Sequence, residues 1–241
     1  MTSDPVERLK LVMSSNFSWF FYCQQFLKSL DPILGETYQA YGQDGTKIFL
    51  EQTSNNPPRS HFIAEGANGN FTMSGWLEAG VFMGPRVTQV KCLGHKKITF
   101  ADGGQIVWNQ NDDEFRGVMV GTMNHQLAGK IVFTDEANGL TGYYQYNGYY
   151  MRKNDFVYGE IHQHNQKICE LDGNYMGYLD IADKRYWDAR DDNVFFSIAG
   201  EEPNSLPSQA SKRIDGRTYI SRSIEEAQAQ KEQLEEIQRN D

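Results

Sequence analysis

The spacing of hydrophobic and polar residues divides the chain into three regions. Residues 1–30 carry apolar side chains three or four positions apart, as at Leu9 and Met13, which predicts a helical N-terminal segment. Residues 46–200 contain short apolar runs separated by turn-forming Asn-Gly and Asp-Gly dipeptides, which predicts β-strands. Residues 221–239 return to helical spacing with a narrow apolar stripe, so we expect a polar helix on the surface of the domain.

The apolar runs of the central region follow one another without an intervening helix. The predicted strands are Lys47–Thr53, Ser60–Ala64, Phe71–Trp76, Ala79–Met83, Val87–Leu93, Lys97–Phe100, Gln105–Asn109, Phe115–Gly121, Gly129–Phe133, Thr141–Tyr146, Asp155–His162, Lys167–Leu171, Tyr175–Ile181 and Val194–Ile198. Consecutive strands joined by tight turns form an antiparallel meander. Closure of the meander into a barrel is the simplest way to remove its edges.

Several predicted strands carry apolar residues on both faces, as in Lys130-Ile131-Val132-Phe133. Because alternate residues of a strand point to opposite faces, such a strand needs nonpolar cover on both sides. A barrel with an apolar interior and helices outside supplies that cover. We therefore expect a mainly β fold, with a large antiparallel barrel flanked by N-terminal and C-terminal helices, in one domain over residues 1–241.

Composition limits the classes of function. The formal net charge of −9 argues against a general nucleic-acid-binding protein, because binding phosphates requires a cationic surface. The three cysteines, Cys23, Cys92 and Cys169, form no C-x-x-C pair, so neither a zinc site nor a disulfide framework is expected. The N-terminus shows no secretory signal, and the most apolar run, Phe17–Leu27, is too short to span a bilayer. A reduced, cytoplasmic protein is the expectation.

A proline-closed loop at Glu51–Pro58 draws attention to a first candidate site. Proline has a restricted φ and no N–H, so Pro57 and Pro58 are expected to end the preceding strand in an extended, rigid turn. By itself an Asn-Asn-Pro-Pro turn is an ordinary structural feature. It becomes a candidate binding site only when it is considered together with the other segments described below.

A second candidate lies on the predicted C-terminal helix. Lys231, Glu235 and Arg239 are four residues apart and therefore share one helical face. One interpretation is a solvated ladder of ion pairs, which stabilises a helix by a few tenths of a kcal/mol per pair. The other is a cationic lip, in which Glu235 orients the two cations toward a bound phosphate.

Histidines and lysines suggest two further features. His162 and His164, followed by Glu170, are the residue types of a cupin-like metal site, but the spacing to Glu170 is too long, and we do not expect a metal. A local basic patch also occurs in the first half of the chain, at a strand end that is either solvated or in contact with an anionic membrane. Its residues are Lys91, His95, Lys96 and Lys97.

Three segments resemble, in the same order, motifs of the oxysterol-binding protein-related family. The run Lys28-Ser29-Leu30-Asp31-Pro32-Ile33-Leu34-Gly35-Glu36-Thr37 is similar to the family's K-P-x-N-P-x-L-G-E-x segment. Glu51–Pro58 stands where the family has its fingerprint, E-Q-x-S-H-H-P-P. Ala227–Arg239 is similar to the ending A-x-x-x-K-x-x-L-E-E-x-Q-R. The likeness extends from about Pro5 to Arg239, which is nearly the whole chain.

The resemblance implies an incomplete antiparallel β-barrel that holds one lipid in a central tunnel, with no catalytic residue, metal or other cofactor. Members of the family bind a sterol or phosphatidylserine there, or exchange it for phosphatidylinositol 4-phosphate, whose headgroup lies at the tunnel mouth. Carried over by motif, the headgroup site comprises Lys28, Asn55, Asn56, Lys231, Glu235 and Arg239. The fingerprint loop beside it comprises Glu51, Gln52, Ser54, Pro57 and Pro58.

Three features depart from the family's pattern. Asn55 and Asn56 replace the histidines that grip the phosphate; an amide donates a hydrogen bond but cannot become cationic. Each weakened contact costs about 1–2 kcal/mol, or roughly tenfold in affinity. Asp31 replaces an asparagine and adds negative charge near the proposed phosphate. The chain begins where the family's lid segment has ended, so we expect no lid over a bound sterol.

We therefore expect a lipid-binding or lipid-transfer protein that is cytoplasmic, peripheral at membranes and monomeric. Its expected partners are a lipid and, transiently, a membrane surface, but not a nucleic acid; a targeting partner stays unidentified. Within the same family, the alternative is a lipid sensor or scaffold that has lost phosphoinositide exchange. From a different class, the alternative is a cupin-like metal-dependent β-barrel enzyme that uses His162 and His164.

Overall fold

The chain is described from a computed structural model and consists mainly of β-strands. The structure describes residues 2–23, 31–146, 155–191, 198–220 and 224–240. The chain divides into two compact units, the first formed by residues 1–25 and 79–195, the second by residues 26–78 and 196–241. The prediction of a single domain therefore stays a prediction.

The described residues form three α-helices and fifteen β-strands. The helices are α1 (Pro5–Cys23), α2 (Ile214–Ile220) and α3 (Ile224–Asn240), with 3₁₀ turns at Ala67–Gly69 and Ala210–Lys212. The strands are β1 (Thr37–Gly42), β2 (Lys47–Asn55), β3 (Pro58–Glu65), β4 (Phe71–Met83), β5 (Val87–Phe100), β6 (Gln105–Asn109), β7 (Asp112–Arg116), β8 (Asn124–Ala128), β9 (Lys130–Asp135), β10 (Leu140–Tyr146), β11 (Phe156–Gln163), β12 (Gln166–Asn174), β13 (Tyr178–Ile181), β14 (Lys184–Asp188) and β15 (Ile198–Glu201). Within the described ranges, no helix combines the length and hydropathy needed to cross a bilayer.

The strands of each unit form an antiparallel sheet. In the first unit the strand order is β14-β13-β12-β11-β10-β9-β6-β5, and β7 branches off to pair with both β5 and β8. In the second unit the order is β4-β3-β2-β1-β15, where β4 belongs to this unit only as far as Glu78 and its remaining residues, from Ala79, belong to the first unit. Neither path returns to its own first strand. The predicted class, a mainly β fold with antiparallel strands that do not close into a complete barrel, is confirmed.

Helix α1 supplies the core of the first unit. Its buried apolar side chains lie at helical spacing: Leu9, Met13, Phe17 and Phe20. The ring of Phe17 packs edge-on against both Tyr144 and Trp187, with centroids 5.7 Å apart in each pair. Gly142 lets β10 approach the helix, because a Cβ there would lie 2.6 Å from the sulfur of Met13. Trp19, on the same helix, is exposed and does not belong to this core.

A buried asparagine joins α1 to the sheet by hydrogen bonds. Asn16 donates from Nδ2 to the hydroxyl of Tyr144 at 2.8 Å, and its Oδ1 accepts from Nε1 of Trp108 at 2.9 Å. A buried polar group is costly unless it is paired, and here three such groups satisfy one another. The hydrogen bonds therefore fix the position of α1 on the sheet.

Several predicted element boundaries are wrong. Phe71–Trp76 and Ala79–Met83 belong to one strand, β4, and Val87–Leu93 and Lys97–Phe100 belong to one strand, β5. Hydrogen bonds to neighbouring strands keep the backbone extended even where a glycine locally favours the end of a strand. In β5, for example, Gly94 has a φ of +128°, yet pairing with β6 resumes at the next residue.

Other strands were misplaced or missed. The predicted strand Phe115–Gly121 is wrong beyond Arg116, because Gly117 adopts a φ of +72° and starts a loop. The last predicted strand begins only at Ile198, and residues 194–197 lie outside the described ranges. Four elements were not predicted, since their short polar sequences are ordered by tertiary contacts rather than by local pattern: β1, β8, β14 and α2. The helix predicted over residues 1–30 is observed as far as Cys23, and residues 24–30 are not described.

Candidate functional site

The fingerprint loop is the tip of a hairpin between β2 and β3. Asn55 pairs with Pro58, so Asn56 and Pro57 form a two-residue turn, with a cis peptide bond between them. The strand register shifts between Gln52 and Ser54, which places a bulge just before the turn. Asn55 and Asn56 are exposed, and within the described ranges their side chains make no hydrogen bond.

Gln52 anchors this hairpin to the segment that precedes β1. Its backbone N–H donates to the carbonyl of Glu36 at 2.9 Å, and its own carbonyl accepts from the N–H of Gly35 at 2.8 Å. Its buried side chain donates to the carbonyl of Ser54 at 2.7 Å and accepts from the hydroxyl of Ser60. Gly35 has a φ of +75°, which explains why a glycine stands in the Leu-Gly-Glu motif. Two of the three sequence motifs are therefore hydrogen-bonded to each other.

Lys231 of α3 is buried, and its charge is already paired within the protein. Its Nζ lies 3.3 Å from a carboxylate oxygen of Asp31 and 3.4 Å from one of Glu235. The guanidinium of Arg239 donates from Nε to the backbone carbonyl of Glu235, at 3.2 Å, rather than to its carboxylate. The predicted Lys231–Glu235 pair is present, while Arg239 does not extend it as an ion-pair ladder. Lys28 lies outside the described residues.

The third motif also joins the segment before β1. In addition to the Lys231–Asp31 pair, Nε2 of Gln238 donates to the carbonyl of Leu34 at 2.8 Å. Residues 31–36 thus hold both the fingerprint hairpin, through Gln52, and helix α3. The structure brings Lys231, Glu235 and Arg239 together, and it connects them to the asparagine pair through this segment.

Arg213, whose side chain is only 8% exposed, was not identified from the sequence and fixes residues 31–36. Arg213 binds the carboxylate of Glu36 and the buried carboxylate of Asp215, and it donates to the carbonyl of Asp31 at 3.1 Å. Burial alone would raise the pKa of Asp215, but hydrogen bonds and charge from Arg213 outweigh it and hold that pKa below its ordinary value. No local spacing pattern marks Arg213, because Glu36 is distant in sequence.

One face of the sheet in the second unit carries two adjacent rows of mostly apolar residues. Cross-strand pairing places Tyr38, Leu50, Phe62 and Gly75 in one row, and Ala40, Ile48, Ala64 and Met73 in the next. Leu77 continues the same face beyond Gln52 and Ser60. Leu50 is 36% exposed and Leu77 is 39% exposed. The opposite face is more polar and carries the row Glu51, His61 and Trp76. The first of these surfaces, the apolar face, is suited to a nonpolar ligand.

The histidines proposed as a metal site have other surroundings. His162 donates from Nε2 to the carboxylate of Glu160 at 2.8 Å and stacks on Tyr143. His164 lies in the turn after β11, with a φ of +48°, so it does not share a strand face with His162. Across the described ranges, no group of three or more histidine, cysteine or acidic side chains is arranged to hold a metal ion.

Comparison with known proteins decides the family. A sequence model described as oxysterol-binding protein matches residues 1–211. The chain belongs to the oxysterol-binding protein family. The resemblance inferred from the motifs is thereby confirmed, and the two family motifs at Lys28–Thr37 and Glu51–Pro58 lie within the matched region.

Individual family members match nearly the whole chain at moderate identity. Oxysterol-binding protein 9 of Dictyostelium discoideum is 28% identical over 267 residues, which cover 99% of this chain and 61% of that protein. Oxysterol-binding protein-related protein 8 of Homo sapiens is 25% identical over 262 residues, covering 99% of this chain and 29% of that protein. The chain thus spans less than two thirds of the length of these relatives.

Solved structures of the family share the fold. The Osh3 ORD from Saccharomyces cerevisiae, in complex with PI(4)P, superposes with a TM-score of 0.82 at 18% identity, covering 99% of this chain and 70% of that one. The Osh1 ORD domain, in complex with cholesterol, superposes with a TM-score of 0.85 at 18% identity, covering 99% and 67%. These likenesses confirm the predicted fold of the family.

Proposed function

We propose that this chain binds one lipid molecule on the apolar face of β1–β4 and carries it between membranes without catalysing a reaction. The apolar face carries the proposal, because nonpolar side chains on adjacent strands remain partly exposed there, as at Leu50 and Leu77. Family membership and the cholesterol and PI(4)P held by the two solved relatives support a sterol or phosphatidylinositol 4-phosphate as the ligand, while phosphatidylserine is proposed from the motif resemblance alone.

The energetics of such a carrier are favourable. Burying roughly 400 Å² of lipid surface at about 25 cal/mol per Å² contributes about 10 kcal/mol, which is comparable to the cost of extracting a lipid from a bilayer. Binding is noncovalent and needs no metal or other cofactor. Direction of transport then comes from competition between two lipids for one site. On this proposal the protein is a cytoplasmic monomer that binds membrane surfaces transiently, and no targeting partner is identified.

The test compares two charge substitutions of equal exposure on opposite faces of the sheet. Leu50→Asp places a carboxylate on the apolar face, and we expect at least about a tenfold loss of co-purified lipid because the charge must be desolvated. Ile63→Asp is the matched control, since Ile63 is 38% exposed and lies on the other face. Native mass spectrometry and lipid extraction, on protein from a eukaryotic host, give the readout.

The outcomes of that test separate the alternatives. Retention of lipid by Leu50→Asp contradicts binding on the apolar face. Protein that carries no lipid but one equivalent of metal contradicts the lipid function altogether and favours the enzyme built on His162 and His164. If both variants lose lipid, circular dichroism shows whether they are still folded. Loss of lipid from two folded variants contradicts binding that is specific to the apolar face.

We propose that the headgroup of a bound phosphoinositide lies beside the β2–β3 hairpin and helix α3. The proposed residues are Lys28, Asn55, Asn56, Lys231, Glu235 and Arg239, beside the fingerprint residues Glu51, Gln52, Ser54, Pro57 and Pro58. A phosphomonoester there competes with Asp31 and Glu235 for Lys231, because both carboxylates lie within 3.4 Å of its ammonium group. This internal pairing, together with the neutral asparagines, favours the second candidate function, a lipid sensor or scaffold with weak phosphoinositide exchange.

Restoring histidines to the fingerprint tests that second candidate. The double variant Asn55→His/Asn56→His is expected to bind liposomes with phosphatidylinositol 4-phosphate at least about tenfold more tightly, because cationic donors replace neutral ones. The gain should be larger near pH 6 than near pH 8, since an unperturbed histidine has a pKa of about 6.5. Displacement of preloaded lipid by these liposomes measures the effect.

The control for this gain removes Lys231 in the same background. Adding Lys231→Ala to the double variant should abolish the displacement if the headgroup lies between the hairpin tip and α3. An unchanged gain without Lys231 contradicts the assigned headgroup site. Equal displacement by wild-type protein and the double variant contradicts the inference that the asparagines weaken exchange.

A further inference from the structure

Two loops of the first unit lie side by side at one end of its sheet. The first residue of β5, Val87, pairs with the last residue of β7, Arg116, which in turn pairs with Asn124 at the start of β8. The β4–β5 turn and the β7–β8 loop are therefore neighbours, separated by a shallow cleft lined by residues 84–88 and 117–120. We define the apolar apex as the nonpolar residues at the end of β4 and in the β7–β8 loop: Val81, Phe82, Met83, Val118, Met119, Val120 and Met123.

The apolar apex is among the most exposed nonpolar surfaces of the described chain. Met83 is 88% exposed, Met119 is 81% exposed and Val120 is 90% exposed. Single exposed apolar residues are common, but a contiguous group at neighbouring loop tips marks a surface that meets another nonpolar phase.

The β7–β8 loop is held in a projecting shape. Gly117 and Gly121 have φ values of +72° and +106°, and a Cβ on Gly117 would lie 2.1 Å from the carbonyl oxygen of Thr122. The two ends of the loop thus touch, and only glycine fits at that position. Val118, Met119 and Val120 therefore form the tip of this loop and also line one side of the cleft.

Charge around the apex differs from that of the whole chain. The protein has a net charge of −9, yet residues 79–90 and 117–129 contain no aspartate or glutamate. Arg86 is exposed at the β4–β5 turn, and the exposed Lys91 places Nζ 5.7 Å from the ring centroid of Phe82. Arg116 is exposed too, although it pairs with Glu114 at 3.1 Å. The loops therefore present cations beside nonpolar tips, which complements an anionic lipid surface.

We propose that the apolar apex inserts into an anionic lipid leaflet and docks the protein for lipid transfer. This inference rests on the proposed function and identifies the surface through which the carrier meets a membrane. Narrow tips with flexible methionines enter the boundary between headgroups and acyl chains, whereas a protein partner or a second copy would need a complementary groove. Arg86 and Lys91 then lie at the level of the lipid phosphates.

Flotation with two vesicle compositions tests the docking surface. Met119→Ser/Val120→Ser is expected to bind phosphatidylcholine vesicles containing phosphatidylserine at least about tenfold more weakly than wild type, since two nonpolar side chains are lost. Ile168→Ser is the matched control, because Ile168 is an exposed apolar residue elsewhere in the same unit. Wild-type binding should fall without phosphatidylserine and at high salt.

A second measurement reports insertion and keeps the two proposals distinguishable. In Val120→Trp, tryptophan fluorescence should shift to shorter wavelength when these vesicles are added. Lipid loading from cyclodextrin, which needs no membrane docking, should be unchanged in Met119→Ser/Val120→Ser. If the wild-type protein does not take up lipid from cyclodextrin, the proposed lipid-binding function is contradicted. If both proteins take up lipid normally, a difference between them in vesicle binding reports on docking alone.

Three outcomes overturn the docking proposal. Equal flotation of wild type and the double serine variant shows that the apex does not bind the bilayer. An equal loss of vesicle binding in Ile168→Ser shows that binding does not depend specifically on the apolar apex. Sedimentation equilibrium that finds a wild-type dimer and a monomeric double serine variant assigns the apex to self-association instead.

Discussion

Replacing Arg213 with methionine is expected to lower the free energy of unfolding by about 3–5 kcal/mol. Arg213 is buried between the carboxylates of Glu36 and Asp215, and methionine keeps its approximate volume without its charge. Two acidic groups then lose their partner in a low-dielectric environment, and the carbonyl of Asp31 loses a donor. Urea unfolding, monitored by circular dichroism at pH 7, measures the change.

Arg217→Met provides the control for this substitution. Arg217 is exposed, and among the described residues its side chain donates only to the carbonyl of Ser211, at 3.1 Å, so we expect a change of about 0.5 kcal/mol or less. A similar loss in both variants would contradict the assignment of the effect to the ion pairs of Arg213 with Glu36 and Asp215.

The pH dependence gives an independent check on the same ion pair. The folded pKa of Asp215 lies below its unfolded value of about 3.9. Its contribution to stability is therefore present above that value and is lost as the pH falls through the folded pKa. The difference in unfolding free energy between wild type and Arg213→Met should shrink below about pH 4. A difference that stays constant down to pH 2.5 contradicts the assignment of the effect to Asp215.

Replacing Phe17 with alanine is the second substitution with a large expected effect, about 3–5 kcal/mol of unfolding free energy. Phe17 is fully buried, and its ring contacts Tyr144 and Trp187 at the interface of α1 with the sheet. Alanine removes these edge-to-face contacts and leaves a cavity that close-packed neighbours fill only in part. Thermal and urea unfolding measure the loss.

Trp19→Ala is the control, because it removes an aromatic side chain from the exposed face of the same helix. Trp19 lies two residues farther along α1 but is exposed, so its replacement should change the unfolding free energy by about 0.5 kcal/mol or less. If Trp19→Ala is as destabilising as Phe17→Ala, the orientation of α1 on the sheet is wrong. If neither variant loses stability, α1 does not form part of the core.

Local patterns predicted most of the fold because strands and helices differ in their apolar period. Gln105–Asn109 was predicted with its observed ends, since turn residues border it on both sides. The predicted strand at Phe115–Gly121 failed because a nonpolar run, Val118-Met119-Val120, was taken as a buried strand. The structure places that run on an exposed loop. Hydrophobicity alone does not distinguish a core strand from a surface that binds a nonpolar partner.

The candidate site was predicted only in part. Motif order identified Gln52, Lys231 and Glu235, and the structure shows how Gln52 and Lys231 are anchored. The sequence also flagged Asp31 as a departure from the family's pattern, but not that its carboxylate pairs with Lys231, 200 residues away. An ion pair of this kind forms only because the tertiary fold brings two distant segments into contact, so no local residue spacing predicts it.

The amino-acid sequence by itself determined the mainly β class, the helical ends and membership of the oxysterol-binding protein family, because period, turn residues and ordered motifs are local properties of the chain. Tertiary structure alone decided three features: the pairing of Lys231, the burial of Arg213 and the apolar face at Leu50. Each depends on strand register and on contacts between residues far apart in sequence. A shift of one residue in register would turn Leu50 to the opposite face.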